Sequence, residues 1–231
     1  MSVLFIAADH REAAPWTEHW EQRQTPGLPV HWARNGLWQG HPMLAIANGA
    51  GWKRADLAVR AALASGFQPR AVFNIGFCGA LDPSLKIGDI FVATEVHSEG
   101  SRYRVSRPAG PDAASGVLAS ISHIAETAAE KRQLRESGAI VVEMEAAAVA
   151  RASEELGVPF FCVRSVSDLA DEDFANHLNV CLMADGRMNI PRLVFGAFGS
   201  PVKRFGELIR LAKRSALASK NLGEFLANCN Y

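Results

Sequence analysis

Short apolar runs alternate with longer amphipathic stretches along this chain. Val3 to Ala8, Met43 to Ala47, Ala71 to Gly76, Ile90 to Ala93, Ile140 to Val142 and Phe160 to Val166 read as strands. Several are apolar at successive positions, so both faces are apolar, as in strands covered by helices on both sides of a sheet. Lys53 to Ser65 sets Ala55, Val59, Ala62 and Leu63 on one helical stripe, and Gly66 supplies the stop. Glu145 to Leu156 is alanine-rich and ends at Gly157, with Pro159 opening the next strand, which makes a second strand, helix, strand unit. Beyond Asp171 the pattern turns helical, with breaks at Pro191 and Pro201 and a last amphipathic helix from Val202 to Ala227. Glu95 to Ser115, with Gly100, Pro108, Gly110 and Pro111, reads as a long loop or lid. The pattern predicts an α/β fold, a three-layer sandwich with a mixed central sheet and helices on both faces.

Length and charge narrow the function classes. The 231 residues suit one domain with a sizeable core; two small domains also fit, and one is simpler. Lys plus Arg and Asp plus Glu number 24 each, so no overall field draws nucleic acid or an anionic membrane, and a small molecule is the expected partner. Cys78, Cys162, Cys181 and Cys229 form no CxxC pair and read as buried free thiols. The seven histidines are scattered without metal-ligand spacing, and Ala7-Ala8-Asp9-His10 is not a glycine-rich dinucleotide turn, so neither a metal nor a cofactor is expected. The run from Val3 to Ala8 lacks the basic start and length of a secretory signal, and no segment reaches about 18 continuous apolar residues. A cytoplasmic protein is the expectation.

Three segments carry candidate chemistry. Asn74-Ile75-Gly76-Phe77-Cys78-Gly79 follows a strand, and its glycines allow close backbone approach to a ligand, or simply a tight turn. Glu143-Met144-Glu145 lies where a strand gives way to a helix, and Glu145 either complements the helix dipole or faces a substrate. Arg164-Ser165-Val166-Ser167-Asp168 places an arginine in an apolar strand and an aspartate at its carboxyl end, where parallel α/β sheets form their ligand crevice. Asp168 alternatively caps the next helix, with Arg164 as its ion-pair partner.

In order and motif these segments resemble the methylthioadenosine and S-adenosylhomocysteine nucleosidases of the nucleoside phosphorylase superfamily. Gly76 to Asp89 resembles the family's glycine-rich strand end with its L-x-x-G-D, Val142 to Ala148 its V-x-M-E-x-x-A motif, and Val163 to Asp171 its V-R-x-x-S-D-x-A-D motif. The resemblance implies cleavage of the N-glycosidic bond of a purine nucleoside, adenine by preference, on a nucleoside phosphorylase fold. It implies that Asp168 is the acid toward purine N7 and the exocyclic amine, that Glu145 holds ribose hydroxyls with Met144 against the sugar, and that Arg164 orients Glu145. Ser167 and the segment Gly76, Phe77, Cys78 and Gly79 are then substrate-binding, and Glu12 falls on the family's water-activating glutamate; its other reading is a solvated first-turn acid. Asp168 would have to keep a proton near neutral pH, through burial or through Glu145.

Phosphorylases of the superfamily grip phosphate with an arginine and a small hydroxyl residue around the glycine-rich strand end. Asn74 and Phe77 stand there, which favours water as nucleophile, with phosphorolysis or a non-catalytic nucleoside sensor as alternatives. Arg11, Lys53 and Arg54 are a second possible phosphate grip, or solvated charges at helix starts. Phe77 also departs from the small residue usual in the nucleosidases. The base-stacking aromatic expected between Leu118 and Ala125 is missing, with only His123 there, so the 5′ substituent stays open between thioethers and the bulkier groups taken by hopanoid-associated nucleosidases and futalosine hydrolases. The resemblance implies at least a homodimer, with Met43 to Ala50 and the loop after Thr94 as candidate contacts.

Overall fold

A computed structural model of the protein describes residues 1–230. Its strands are β1 (Val3–Ala7), β2 (Glu21–Gln24), β3 (Trp32–Trp38), β4 (His41–Ala47), β5 (Ala71–Ala80), β6 (Ile90–Ser98), β7 (Ser101–Arg104), β8 (Ala114–Ser120), β9 (Ala139–Glu143) and β10 (Phe160–Asp168). Its helices are α1 (His10–Thr17), α2 (Trp52–Ala64), α3 (Ala128–Glu136), α4 (Ala146–Leu156), α5 (Leu178–Cys181), α6 (Ile190–Ala197) and α7 (Pro201–Ala227). Each of the six apolar runs is a strand, and the reason they are apolar on both faces is direct. In β1, Leu4 and Ile6 enter one core while Val3, Phe5 and Ala7 enter another, and β4 and β5 divide their side chains the same way. The first core is closed by α2 and α4, the second by α1 and α7. Each fully buried Phe or Leu contributes roughly 1.5–3 kcal/mol.

All ten strands belong to one mixed sheet in the order β10, β6, β8, β9, β5, β1, β4, β3, β2, with β7 paired to β6. Because β10 also pairs with β5, five strands close on themselves while β1, β4, β3 and β2 extend as an open wing. Closure removes two sheet edges and brings the ends of β5, β9 and β10 together, although they come from three parts of the sequence.

Several expectations need correction. The stretch from Glu95 to Ser115 is not a long loop: it holds the end of β6, all of β7 and the start of β8. Its Gly100 sits at φ +86 in the turn of the β6–β7 hairpin, so that glycine marked a tight turn. Leu63 lies on the outer side of α2 at 36% exposure, and Ala58 and Ala61 take the inner stripe. Met43 to Asn48 is almost fully buried between β1 and β3, so that segment offers no surface to a second copy. Pro191 and Pro201 fall in the first turns of α6 and α7, where a missing N–H costs no helical bond. All four cysteines are free and buried. Among the described residues, no helix is long and apolar enough to cross a membrane.

Candidate active site

At the carboxyl end of β1 the backbone turns into α1, and Asp9-x-x-Glu12 forms a reciprocal cap. The Asp9 carboxylate accepts the Arg11 N–H, and Glu12 Oε2 accepts the Asp9 N–H at 2.9 Å. Glu12 does more than cap. Oε2 also accepts the Ala8 N–H at 2.8 Å, and Oε1 reaches across to accept the Phe77 N–H of β5 at 2.9 Å. Glu12 is 4% exposed, so the solvated first-turn acid is ruled out. Burial pushes its carboxyl above the usual range, against the pull of these N–H bonds and of Arg164.

Arg164 sits in β10 opposite Gly76 and is fully buried. A Cβ on Gly76 would stand 2.5 Å from Arg164 Nη1 and 2.8 Å from Glu12 Oε1, so only glycine lets the guanidinium and carboxylate lie against the strand. Arg164 Nη2 donates to Asn74 Oδ1 and to Glu143 Oε2, and stands 3.9 Å from Glu145 Oε2. Its close partner is therefore Glu143, not Asp168, and its hold on Glu145 is the longer one. Burial works against the Arg164 charge, yet the surrounding carboxyls and Cys162 raise its pKa.

Glu143 also accepts the N–H groups of Glu145 (2.8 Å) and Ala146 (2.9 and 3.0 Å), so it caps α4. Glu145 makes no side-chain cap bond, and its Oε1 instead accepts the Gly51 N–H at 2.7 Å. Burial, joined by the charges of Glu143 and Glu12 and opposed by Arg164, raises its pKa to about 8. The capping reading thus passes to Glu143, which stands in the same motif but to which the sequence assigns no role of its own. The loop bearing Gly51 is pinned from outside: Gly49 lies at φ +94, and a Cβ there would come within 2.2 Å of the Asp185 carbonyl.

Asp168 ends β10 beside Gly79, at a bulge where the pairing skips Ser167. A Cβ on Gly79 would meet its Oδ1 at 2.8 Å. Ser167 Oγ lies 3.0 Å from Asp168 Oδ2 and 3.2 Å from the Cys78 carbonyl. Lys131 of α3, itself fully buried, forms a salt bridge of 2.5 Å to Asp168 Oδ1 and donates to the Leu169 carbonyl at 2.7 Å. The partner of Asp168 is thus neither Arg164 nor Glu145 but a lysine outside every candidate motif. Gly76 and Gly79 are three residues apart on β5, which sets the two charge centres about 10 Å apart along the strand. Cys78 between them is influenced by Arg164, Asp168 and Glu143 alike, and burial raises its thiol well above the usual range.

The residues weighed as a phosphate grip are otherwise engaged. Asn74 is fully buried, taking Arg164 on Oδ1 and giving Nδ2 to the Ile6 carbonyl at 3.1 Å. Arg11 is held by Asp9, Arg54 by Asn48 and His31, and Lys53 is exposed. His123 is half-exposed and bonded to Glu130. Met144 borders a cavity of about 360 Å³ that Trp52, Ser98, Tyr103 and Ile121 also line. Neither Glu12 nor Asp168 lines it, so Met144 links the cavity to the carboxyl cluster, and the β6–β7 hairpin forms a wall. Among the described residues, no group of three or more His, Cys, Asp or Glu side chains is placed to hold a metal ion.

A family model described as the phosphorylase superfamily matches residues 2–123 and 103–185. The chain belongs to the phosphorylase superfamily. This superfamily member shares its fold with a Helicobacter pylori methylthioadenosine nucleosidase mutant solved with 5′-methylthioadenosine in the active site, at a TM-score of 0.70, 19% identity and 97% of each chain. A Neisseria meningitidis 5′-methylthioadenosine/S-adenosylhomocysteine nucleosidase in complex with methylthio-immucillin-A gives a TM-score of 0.70, 22% identity and 98% of each chain. A futalosine hydrolase mutant of Helicobacter pylori gives 0.68, 19% identity and 96% of each chain. At these identities the likeness is one of fold, and superfamily membership rests on the matched segments.

Proposed function

We propose that this chain hydrolyses the N-glycosidic bond of a purine nucleoside carrying a 5′ substituent. The observation that carries the choice of water is what occupies the glycine-rich strand end: the Glu12 carboxyl takes the Phe77 N–H, and carboxyls surround Arg164. A phosphate dianion there would face negative charge and find its amide donor taken, whereas a water molecule finds a base. Cleavage passes through an oxocarbenium-like transition state, with positive charge growing on the sugar and negative charge on the base. The C1′–N9 bond breaks with its electron pair going to the purine, and Asp168 supplies a proton at N7. The water oxygen joins C1′ and its proton passes to Glu12. Glu145, positioned by Gly51 and Arg164, holds the ribose hydroxyls, with Met144 against the sugar and Ser167 steadying Asp168.

The bound 5′-methylthioadenosine of one fold neighbour and the futalosine hydrolase activity named for another support a 5′-substituted nucleoside, with adenine as the preferred base. The cavity beside Met144 is the place for that substituent. Assembly as a homodimer belongs to the same proposal, and light scattering on the purified protein tests it. The decisive assay is release of free adenine from adenosine, methylthioadenosine and S-adenosylhomocysteine, with and without phosphate, with Asp168→Asn as control. Release without phosphate that is lost in the variant is the expected result. Strict phosphate dependence would replace hydrolysis by phosphorolysis, and tight binding without release would make the protein a nucleoside sensor.

A further inference from the structure

We propose that Lys131 is a positioning residue that supplies the proton Asp168 delivers, an inference that rests on Asp168 being the acid of the reaction above. Lysine is almost never fully buried unless paired, and the other cations of α3, Arg132 and Arg135, are exposed. Lys131 is one of only two buried residues on α3, the other being Ala128. Its ammonium carries three donors. One meets Asp168 Oδ1 at 2.5 Å and another the Leu169 carbonyl at 2.7 Å, while the ring of Phe174 covers the nitrogen at 5.2 Å. The lysine side chain has no exposed surface, whereas that of Asp168 is 12% exposed. A proton on Lys131 therefore reaches the cleft only through Asp168.

A strut between α3 and β10 would not need a charge. Two apolar side chains of the same volume would hold the elements together without desolvating an ammonium, and such replacements are often neutral or stabilising. A buried pair does keep a donor proton in line with the carboxylate that faces the cleft. As the purine leaves, the Nζ–H bond of Lys131 breaks and that single proton passes along the salt bridge to Asp168 and from Asp168 to N7, whose new N–H bond takes it, so Asp168 ends as the carboxylate it began as. Lys131 is left as a neutral amine still bonded to the Leu169 carbonyl, and solvent restores its proton when the base departs and uncovers Asp168.

The test is the pH dependence of kcat and KM for Lys131→Met and Lys131→Arg, on the nucleoside that the wild-type protein cleaves best. Arginine keeps the charge but has no proton to give near neutral pH, so it separates electrostatics from proton supply. Both variants should lose kcat by about 100-fold at pH 7.5 with little change in KM, the scale of one lost acid-base contribution. Lys131→Met should recover at least about 10-fold of that loss at pH 5, where solvent protons load Asp168 directly, and Lys131→Arg should recover less, because its guanidinium still favours the Asp168 carboxylate. The ratio between two pH values does not depend on how much of a variant has folded. A loss equal at all pH values, a rise in KM alone, or full activity in Lys131→Arg would overturn the relay and leave a structural ion pair. Absence of nucleoside cleavage by the wild-type protein at every pH would instead remove the functional reading itself, and the relay with it.

Discussion

The two buried charge centres that β10 places beside β5 follow opposite rules. Around Arg164, one cation faces three carboxyls, those of Glu12, Glu143 and Glu145. At Asp168, one carboxylate faces one ammonium. The first centre carries more acid than it can ionise in a dry site, so burial raises Glu12 and takes Glu145 to about pH 8. Glu145 there can gain and lose a proton near that pH, which suits a carboxyl that holds ribose hydroxyls. The second is balanced, with one ammonium against one carboxylate and no surplus acid. An excess of carboxyls makes a titrating site, and a matched pair makes a reservoir.

Removing the acid gives the largest expected effect. Asp168→Asn should reduce nucleoside cleavage by about 10²–10⁴-fold, the range for a positioned acid, while KM stays near the wild-type value. If the variant keeps full activity, the two centres exchange roles and the acid must be sought among Glu12 and Glu145. Arg164→Met attacks the other centre and should be read first as stability. It leaves Glu143 and its neighbours buried without a cation, a loss of about 3–5 kcal/mol by urea denaturation. An unchanged midpoint would mean that the carboxyls there are already neutral.

The two centres also differ in how far the sequence displays them. Glu145, Arg164 and the glycine pair lie in motifs with strand and helix ends around them, so their meeting at one sheet edge follows from the order of elements. Glu143 was visible in the same motif, but a glutamate at a strand end gives no sign that it will cap α4 and pair with Arg164. Glu12 carried an unused signal: Asp9-x-x-Glu12 is a capping box, and a carboxyl that must reach back to Asp9 N–H cannot be fully solvated. Lys131 carried none. It stands in a polar helix among Glu130, Arg132 and Gln133, and only closure of the sheet, which sets α3 against the end of β10, turns it inward. That closure is itself absent from periodicity, because the pairing of β5 with both β9 and β10 is a long-range choice. The open wing was half legible: β4 is an apolar run, whereas β2 (Glu21–Gln24) is exposed and polar at every position.

Glu145→Gln tests the claim of excess acid through its sign. The folded protein keeps the Glu145 proton up to about pH 8, while the unfolded chain gives it up near 4.5. Between those values the unfolded state binds fewer protons, so this group makes the wild-type protein less stable as pH rises. Glutamine still accepts the Gly51 N–H and carries no such penalty. Melting curves should show no advantage for the variant below pH 4.5 and a gain on the order of a few kcal/mol above pH 8. A variant less stable than wild type at pH 8.5 would show that Glu145 is ionised and held by Arg164.

The smallest effects come from single methyl groups, and they separate the centres most cleanly. In Gly76→Ala the new Cβ presses on Arg164 Nη1 at 2.5 Å and Glu12 Oε1 at 2.8 Å. Both are side-chain ends, but Glu12 is held by three N–H groups and Arg164 by Asn74 and Glu143, so neither yields cheaply. The expected loss is about 1–3 kcal/mol of stability, as for an overpacked core. In Gly79→Ala the Cβ meets Asp168 Oδ1 at 2.8 Å and Val142 Cγ1 at 3.2 Å. Asp168 is the partly exposed member of its pair and can swing toward the cleft, so the strain is relieved by lengthening its bond to Lys131. Gly79→Ala should therefore melt close to the wild-type protein yet lose activity, with a deficit that shrinks at low pH as in Lys131→Met. Equal stability losses in the two alanine variants would mean that Asp168 is as rigidly enclosed as Arg164, and that the balanced pair is a fixture of the fold and not a source of protons.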